Sequence, residues 1–279
     1  MTTKSGLGSA FLIGTSGAAY DISGDVSALS TMKLTNSPLD VSPINVSGTK
    51  RIYGRKSGEM TASIFFNDAA AQEHVALKGL TRSDVQPMWA QAFSAIGDKG
   101  LAMLAKQVNY DWALGADGGL LASVQWLSNA APIEPGEMLT AGLRTDTTAT
   151  NGSSLDYGSV STAFGLSAYL WITAFSGTNI TISLEDSANN SAFSAITGGA
   201  FTQATGIGAQ RIQTAVNGTV RRYVRVVSAG TFTSCTFAVL FVRHLVTHRS
   251  GSPRRTQWPL NPVSAQLSRL TTREEQAET

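Results

Sequence analysis

Chemistry in this chain can be sought first in the stretch "KRIYGRKSGE", residues 50–59. Lys50, Arg51, Arg55 and Lys56 crowd together there, with only Glu59 in opposition. Cations at that spacing can grip phosphates or meet the acids of another chain. Arg221, Tyr223 and Arg225 form a second candidate, because alternate residues of a strand share a face. Two guanidiniums beside an aromatic ring suit a sugar surface or an interface anchor. The plainer reading is arginine stems covering a ring on an exposed sheet.

Catalytic constellations are otherwise thin. His74 falls on an expected helix. His244 and His248 have i,i+4 spacing but end an expected strand, with no glutamate between them of the zinc-protease kind. Nothing matches the nucleophile elbow or the phosphate-binding glycine loop. "GIGAQR" (206–211) starts like a dinucleotide loop, lacks its third glycine and lies between strands. Asp111 with Asp117, and Glu134 with Glu137, read as solvated acids near turns rather than a glycosidase pair. The single cysteine, Cys235, lies in an apolar run and reads as a buried small hydrophobe. The expectation is no enzyme, no metal and no cofactor.

Composition supports an assembly component. Charged residues make up 14% of the 279, against about 25% in ordinary domains. Residues 1–156 carry 11 Lys+Arg and 14 Asp+Glu, a balance of −3. Residues 157–249 carry six against two, +4, and residues 250–279 four against three, +1. The cationic stretch thus sits in a net-acidic segment, which argues against a dedicated DNA-binding domain. No run approaches 18 apolar residues, and the N-terminus lacks a signal-peptide core, so neither membrane span nor secretion is expected.

The elements that must position these residues are mostly strands. Residues 36–58 read as a long loop, because Asn36-Ser37-Pro38 and Ser42-Pro43 are turn signals. "GEMTASIFF" alternates as a strand, and a helix is expected over about 69–78, capped by Asn67 or Asp68. Strands at 102–112 and "LLASVQWLS" flank the Asp-Gly turn of "ADGG", reading as a hairpin. The polar run 144–158 reads as a linker. Beyond it, short strands with turns at Ser176-Gly177 and Ala229-Gly230, among others, suggest a sandwich. The organisation expected is therefore a first module over 1–156, a β-sandwich over 157–249 and an arm or tail over 250–279.

Long stretches, "RIYGRKSGEMTASIFFNDAAAQEHVALKGLTRSDV" (51–85), "AKQVNYDW" (105–112) and "RTDTTATNGSSLDYG" (144–158), resemble the major tail (tail tube) proteins of long-tailed phages, particularly of actinobacterial hosts. The sandwich segment resembles the domain appended in the same proteins. The resemblance implies a mainly β fold. A tail-tube-type β-sandwich or barrel with one flanking α-helix would be followed by a second, jelly-roll or Ig-like β-sandwich. It implies a virion protein, assembled in the host cytoplasm, whose six-membered rings stack into a tube that conducts DNA without binding it specifically. Partners would be other copies, further tail proteins at the tube ends and, through an outward second domain, host-surface glycans. Lys50, Arg51, Arg55 and Lys56 would then form a subunit contact. A carbohydrate-binding adhesin and a head-decoration protein are the alternatives.

Overall fold

The computed structural model describes residues 6–158 and 161–245. They form a mainly β fold. In chain order the elements are β1 (Ala10–Thr15), β2 (Ala18–Asp21), β3 (Val26–Asp40), β4 (Arg51–Phe65), α1 (Glu73–Leu77), β5 (Met88–Ala90), β6 (Lys99–Ala102), β7 (Ala105–Leu114), β8 (Leu120–Ser128), β9 (Glu134–Met138), β10 (Arg144–Asp146), β11 (Thr150–Asn151), β12 (Leu155–Asp156), β13 (Leu166–Ser187), β14 (Ser194–Ala200), β15 (Gly208–Gln213) and β16 (Tyr223–Arg243).

Two sheets carry the fold. One is four-stranded and antiparallel, in the order β3-β4-β8-β7. The other has twelve strands, with the main path β14-β13-β16-β9-β6-β5-β1-β2. β1 separates two cores by simple alternation. Phe11 and Ile13 pack with Met60, Ile64, Val124 and Trp126 of the smaller sheet. Ala10 and Leu12 pack on the other side with Met88, Tyr169, Trp171 and Leu240. That second core sets Trp171 and Tyr169 among Ala19, Ala90, Ala102, Ala209 and Ala238, so small residues make the space the two rings fill. Glycines bring the backbones equally close: a Cβ at Gly14 would lie 2.5 Å from that of Ala209.

The module boundary expected at 156 does not divide the sheets. β9, from the first segment, pairs with β16 at Met138 and Glu137. The 144–158 run is no free linker either. β10, β11 and β12 all pair with β16, at Arg144↔Phe237, Thr150↔Ser228 and Leu155↔Val224. Three bits of backbone pairing, each too short to show as hydrophobic alternation, hold it down.

The turns expected at Ser176-Gly177 and Ala229-Gly230 are likewise absent. β13 and β16 run through them as one paired ribbon, with bulges between Ile172 and Asn179. A Cβ at Gly177 would stand 2.4 Å from Phe232 Cα, and one at Gly230 2.5 Å from the Asn179 carbonyl oxygen. These glycines let the ribbon bend while staying paired. Leu166, Leu170 and Ile172 from one side of the bend then share a core with Ile180, Ile182 and Leu184 from the other, as their alternation predicts.

The helix is shorter than expected. α1 begins at Glu73, after Gln72, because Asn67 Oδ1 accepts the Ala69 N–H in a local turn instead of capping a helix. The hairpin around "ADGG" does form: β7 and β8 pair from Ala105↔Ser128 to Leu114↔Leu120. His248 and the 250–279 segment lie outside the described residues.

Candidate assembly surface

The expected loop over 36–58 is mostly strand. β3 and β4 pair from Val26↔Ile64 out to Asp40↔Arg51, and the Val41 N–H donates to the Lys50 carbonyl at 2.8 Å. Ser42 ties the tip: its Oγ accepts the Lys50 N–H at 2.7 Å, while Asp40 Oδ1 accepts the Ser42 N–H at 2.9 Å. The Ser42 hydroxyl, and after it the Ser42 N–H, hold the Asp40 carboxyl below its ordinary range. Pro38 misleads the sequence reading. It sits opposite Tyr53 on β3, an edge strand, where a missing N–H breaks no ladder.

Gly58 marks where this hairpin leaves the body. Its N–H donates to Ser128 Oγ at 2.8 Å, and a Cβ there would lie 2.6 Å from the Ile133 nitrogen. Beyond it, over 36–57, the ribbon is an arm with Gly54 as its only residue outside the exposed class. Gly54 permits another close crossing, since a Cβ would meet the Ser37 carbonyl oxygen at 2.8 Å.

The arm carries Lys50, Arg51, Arg55 and Lys56. Among the described residues, none of these four side chains meets a carboxylate. Lys99, Lys106, Arg144, Arg211, Arg221, Arg222 and Arg225, in contrast, all do. The arm also exposes Leu39, Val41, Ile44, Val46, Ile52 and Tyr53, the last at 83%. These apolar residues are the part of the surface that a loop reading misses. Their signal is the β-branched and aromatic run "RIY", which continues the β4 alternation backwards.

The second candidate surface is already occupied by its own chain. Arg225 pairs bidentately with Glu185 Oε2, at 2.9 and 2.6 Å, and lies 4.0 Å from the Phe193 ring centre. Arg221 reaches Asp186 and Ser194. The ring of Tyr223 is covered by Arg222, 4.9 Å away, rather than by the two arginines flanking it in alternation. Arg222 in turn grips Asp156 and pulls its carboxyl down to about 2.

Other residues of chemical type are built into the interior. Glu134 lies on β9, not in a solvated loop. It accepts from Arg211 Nη2 at 2.9 Å, from Ser167 Oγ at 3.1 Å and from the Tyr169 hydroxyl. His244 Nε2 is 3.1 Å from the same Ser167 Oγ, and its Nδ1 faces the Phe164 carbonyl at 3.2 Å. Serine, histidine and glutamate thus meet, yet Ser167 is wholly buried and no substrate reaches it. His74 is half-buried and meets the rings of Phe66, Tyr110 and Trp112 at an angle, with Nδ1 3.0 Å from the Tyr110 hydroxyl. Cys235 is buried. Among the described residues no group of three or more His, Cys, Asp or Glu is placed to hold a metal. No helix there is long and apolar enough to cross a membrane.

No family model matches the chain, and no curated protein matches it. Solved structures do. One is from the virion of a native gene transfer agent particle, at 14% identity and TM-score 0.35, covering 47% of this chain and 98% of that one. Another is from the tail of an empty gene transfer agent particle with C6 symmetry, at 17% identity and TM-score 0.33, covering 43% and 90%. A third is the Dit protein of phage SPP1, described as a hub adsorption apparatus, at 12% identity and TM-score 0.28, covering 84% and 99%.

The smaller sheet offers two further surfaces beside the arm. Both of its edges are open within the chain, β3 along its length and β7 beyond Ala105, which pairs with Val85. Its face away from the core is polar in its central rows, with Phe65 and Leu127 exposed in the flanking ones. Register sets Thr31, Thr61, Gln125 and Asn109 in one row, and Ala28, Ser63, Ser123 and Asp111 in the next. Gln125 Nε2 donates to Glu59 Oε1 at 2.6 Å, and Asn109 Oδ1 accepts the Gln125 N–H at 2.7 Å.

Proposed function

We propose that the chain is a non-catalytic structural subunit of a phage tail, resident in the virion. Copies join through the smaller sheet, edge β3 of one to edge β7 of the next, closing a ring. Six copies per ring is what the sequence resemblance implies. Rings stack into a tube, with further tail proteins at its ends.

The observation that carries this reading is the arm. A two-stranded ribbon standing off a body is marginal alone in water. This one exposes six large apolar side chains and four cations without acidic partners. Open edges as long as β3 invite further pairing, and ring closure removes them. The polar face suits the bore. Its central rows are hydroxyls and amides with Asp111 as an acid, and in the flanking row Lys33 lies beside Glu59 while Lys106 is paired with Asp84, so passing DNA meets no run of free cations to release its counterions. The arm's cations belong against a neighbour, away from that bore. The glycan-binding role is not favoured, because Arg221 and Arg225 already spend their charges on Asp186 and Glu185.

Purified protein tests this by sedimentation and negative-stain microscopy. Rings or tubes are expected from the full chain. Shortening the arm, by joining Thr35 to Ser57 through an Asn-Gly turn, should leave a folded monomer. A full chain that stays monomeric at every concentration would overturn the reading.

A further inference from the structure

A cleft of about 740 Å³ opens beside β15 of the larger sheet, within the range of about 300–1,000 Å³ that binding sites occupy. Ser16, Gly17, Gln86, Leu104 and Ile172 line it together with the unbroken run 202–212. Side chains of a strand alternate between faces, so a cleft on one face would be lined by every second residue. Every residue from Gly208 to Ile212 lines this one, so it follows the strand's edge. That edge is open. Among the described residues β15 pairs with β13 alone. The Thr214 N–H donates to the Leu166 carbonyl, which sets the phase of the ladder. Gly208, Gln210 and Ile212 therefore bond to β13, while Ala209 and Arg211 turn their N–H and C=O groups the other way. No hydrogen bond to those groups is found among the described residues. Ala209 is buried, where an unmet backbone group is costly.

Gln86 adds a further unmet group to the cleft. It is 6% exposed, and its side-chain Oε1 is enclosed with no partner. Its main chain is held in place: its N–H donates to the Gly14 carbonyl at 2.7 Å, and its carbonyl accepts the Trp171 indole. The cleft is also neutral. No carboxylate lines it, and Arg211 already has its charge against Glu134. No aromatic ring lines it either, so nothing there stacks on a sugar. A polypeptide main chain offers donors and acceptors at the spacing the strand edge needs. We propose that the cleft receives an extended, uncharged peptide segment of another polypeptide, which adds to the open edge of β15 and sets an amide or hydroxyl side chain on Gln86. Strand addition of this kind takes affinity from main-chain bonds and specificity from the side-chain pockets. Leu104 and Ile207 supply the apolar part of the lining. The site lies on different strands from the ring contacts proposed above, and either can fail alone.

Residue-resolved hydrogen exchange on the full chain tests it, with the capped peptide Thr-Val-Asn-Val-Thr as probe. In the free chain the Arg211 amide should exchange faster than those of Gln210 and Ile212, which bond to β13. The peptide should slow Arg211, and a twin N-methylated at every residue should not, because it has lost its donors. Gln86→Leu removes the enclosed acceptor, so it should melt no lower than wild type. It should also bind the probe about tenfold more weakly, while binding a probe with Val in place of Asn as wild type does. An Arg211 amide as protected as its neighbours in the free chain would overturn the proposal. So would a peptide that protects nothing, an N-methylated twin that protects equally, or protection by maltose instead. Unchanged binding of the Asn probe to Gln86→Leu would overturn the role of Gln86.

Discussion

The indole Nε1 of Trp171 donates to the backbone carbonyl of Gln86 at 2.9 Å, joining two residues that lie 85 apart in sequence. Both residues are buried. The bond ties β13 to the chain just before β5, across the boundary where two independent modules are expected from sequence.

Replacing Trp171 by Phe should therefore cost about 1–3 kcal/mol, through the orphaned carbonyl and the lost ring volume. A single melting transition shifted downward would show it. For the same reason, a chain ending at residue 158 should aggregate, because Leu12, Met88 and Ala90 lose the side chains that cover them. A soluble, cooperatively folded 1–158 fragment would contradict this.

Sequence and structure part at this point for a physical reason. The faces of Leu166, Leu170 and Ile172, the β7–β8 hairpin and the buried Cys235 are all legible, because alternation and turn residues are local signals. Pairing between distant strands is not local. Nothing in "RTDTTATNGSSLDYG" announces three contacts with β16, and the small residues around Trp171 look like mere composition until the ring is placed among them. The arm's cations could be read from sequence. That they stand on a ribbon among exposed apolar residues could not, because Pro38 and Pro43 speak for a loop unless the strand is known to be an edge.

Gly58→Ala probes the root of the arm. Its new Cβ would sit 2.6 Å from the Ile133 nitrogen, which is backbone and cannot swing away. The expected loss is about 1–3 kcal/mol, as for other overpacked sites. Gly48→Ala, at the tip with open space around it, is the control and should leave the melting temperature unchanged.

Glu73 gives a pH signature. It is buried, and the Tyr110 hydroxyl donates to its Oε2 at 2.8 Å, while the Asp25 carboxylate accepts its N–H. Burial pushes its carboxyl above the ordinary range, and the Tyr110 bond only partly offsets this. The folded state thus holds the proton more tightly than the unfolded one. Stability falls as pH rises from the unfolded carboxylate value through the folded one, and stays reduced above it. Glu73→Gln should gain on wild type at neutral pH, and the gap should narrow as pH falls toward about 4. Denaturant titrations at several pH values check this, and a gap independent of pH would contradict it.

Cys235 should be inert. It is wholly enclosed, and burial lifts its thiol to about 12. The reactive thiolate is then scarce at neutral pH. Alkylation should proceed only at the rate of unfolding and become immediate in denaturant. Rapid labelling of the native chain would contradict the packing around β16.

The most direct measurement is a cryo-electron reconstruction of the assembled protein. It should show the arm covered by neighbouring copies and the row Thr31, Thr61, Gln125 and Asn109 facing the bore. Lys50, Arg51, Arg55 and Lys56 lining the bore, or an arm left uncovered in the assembly, would contradict the account.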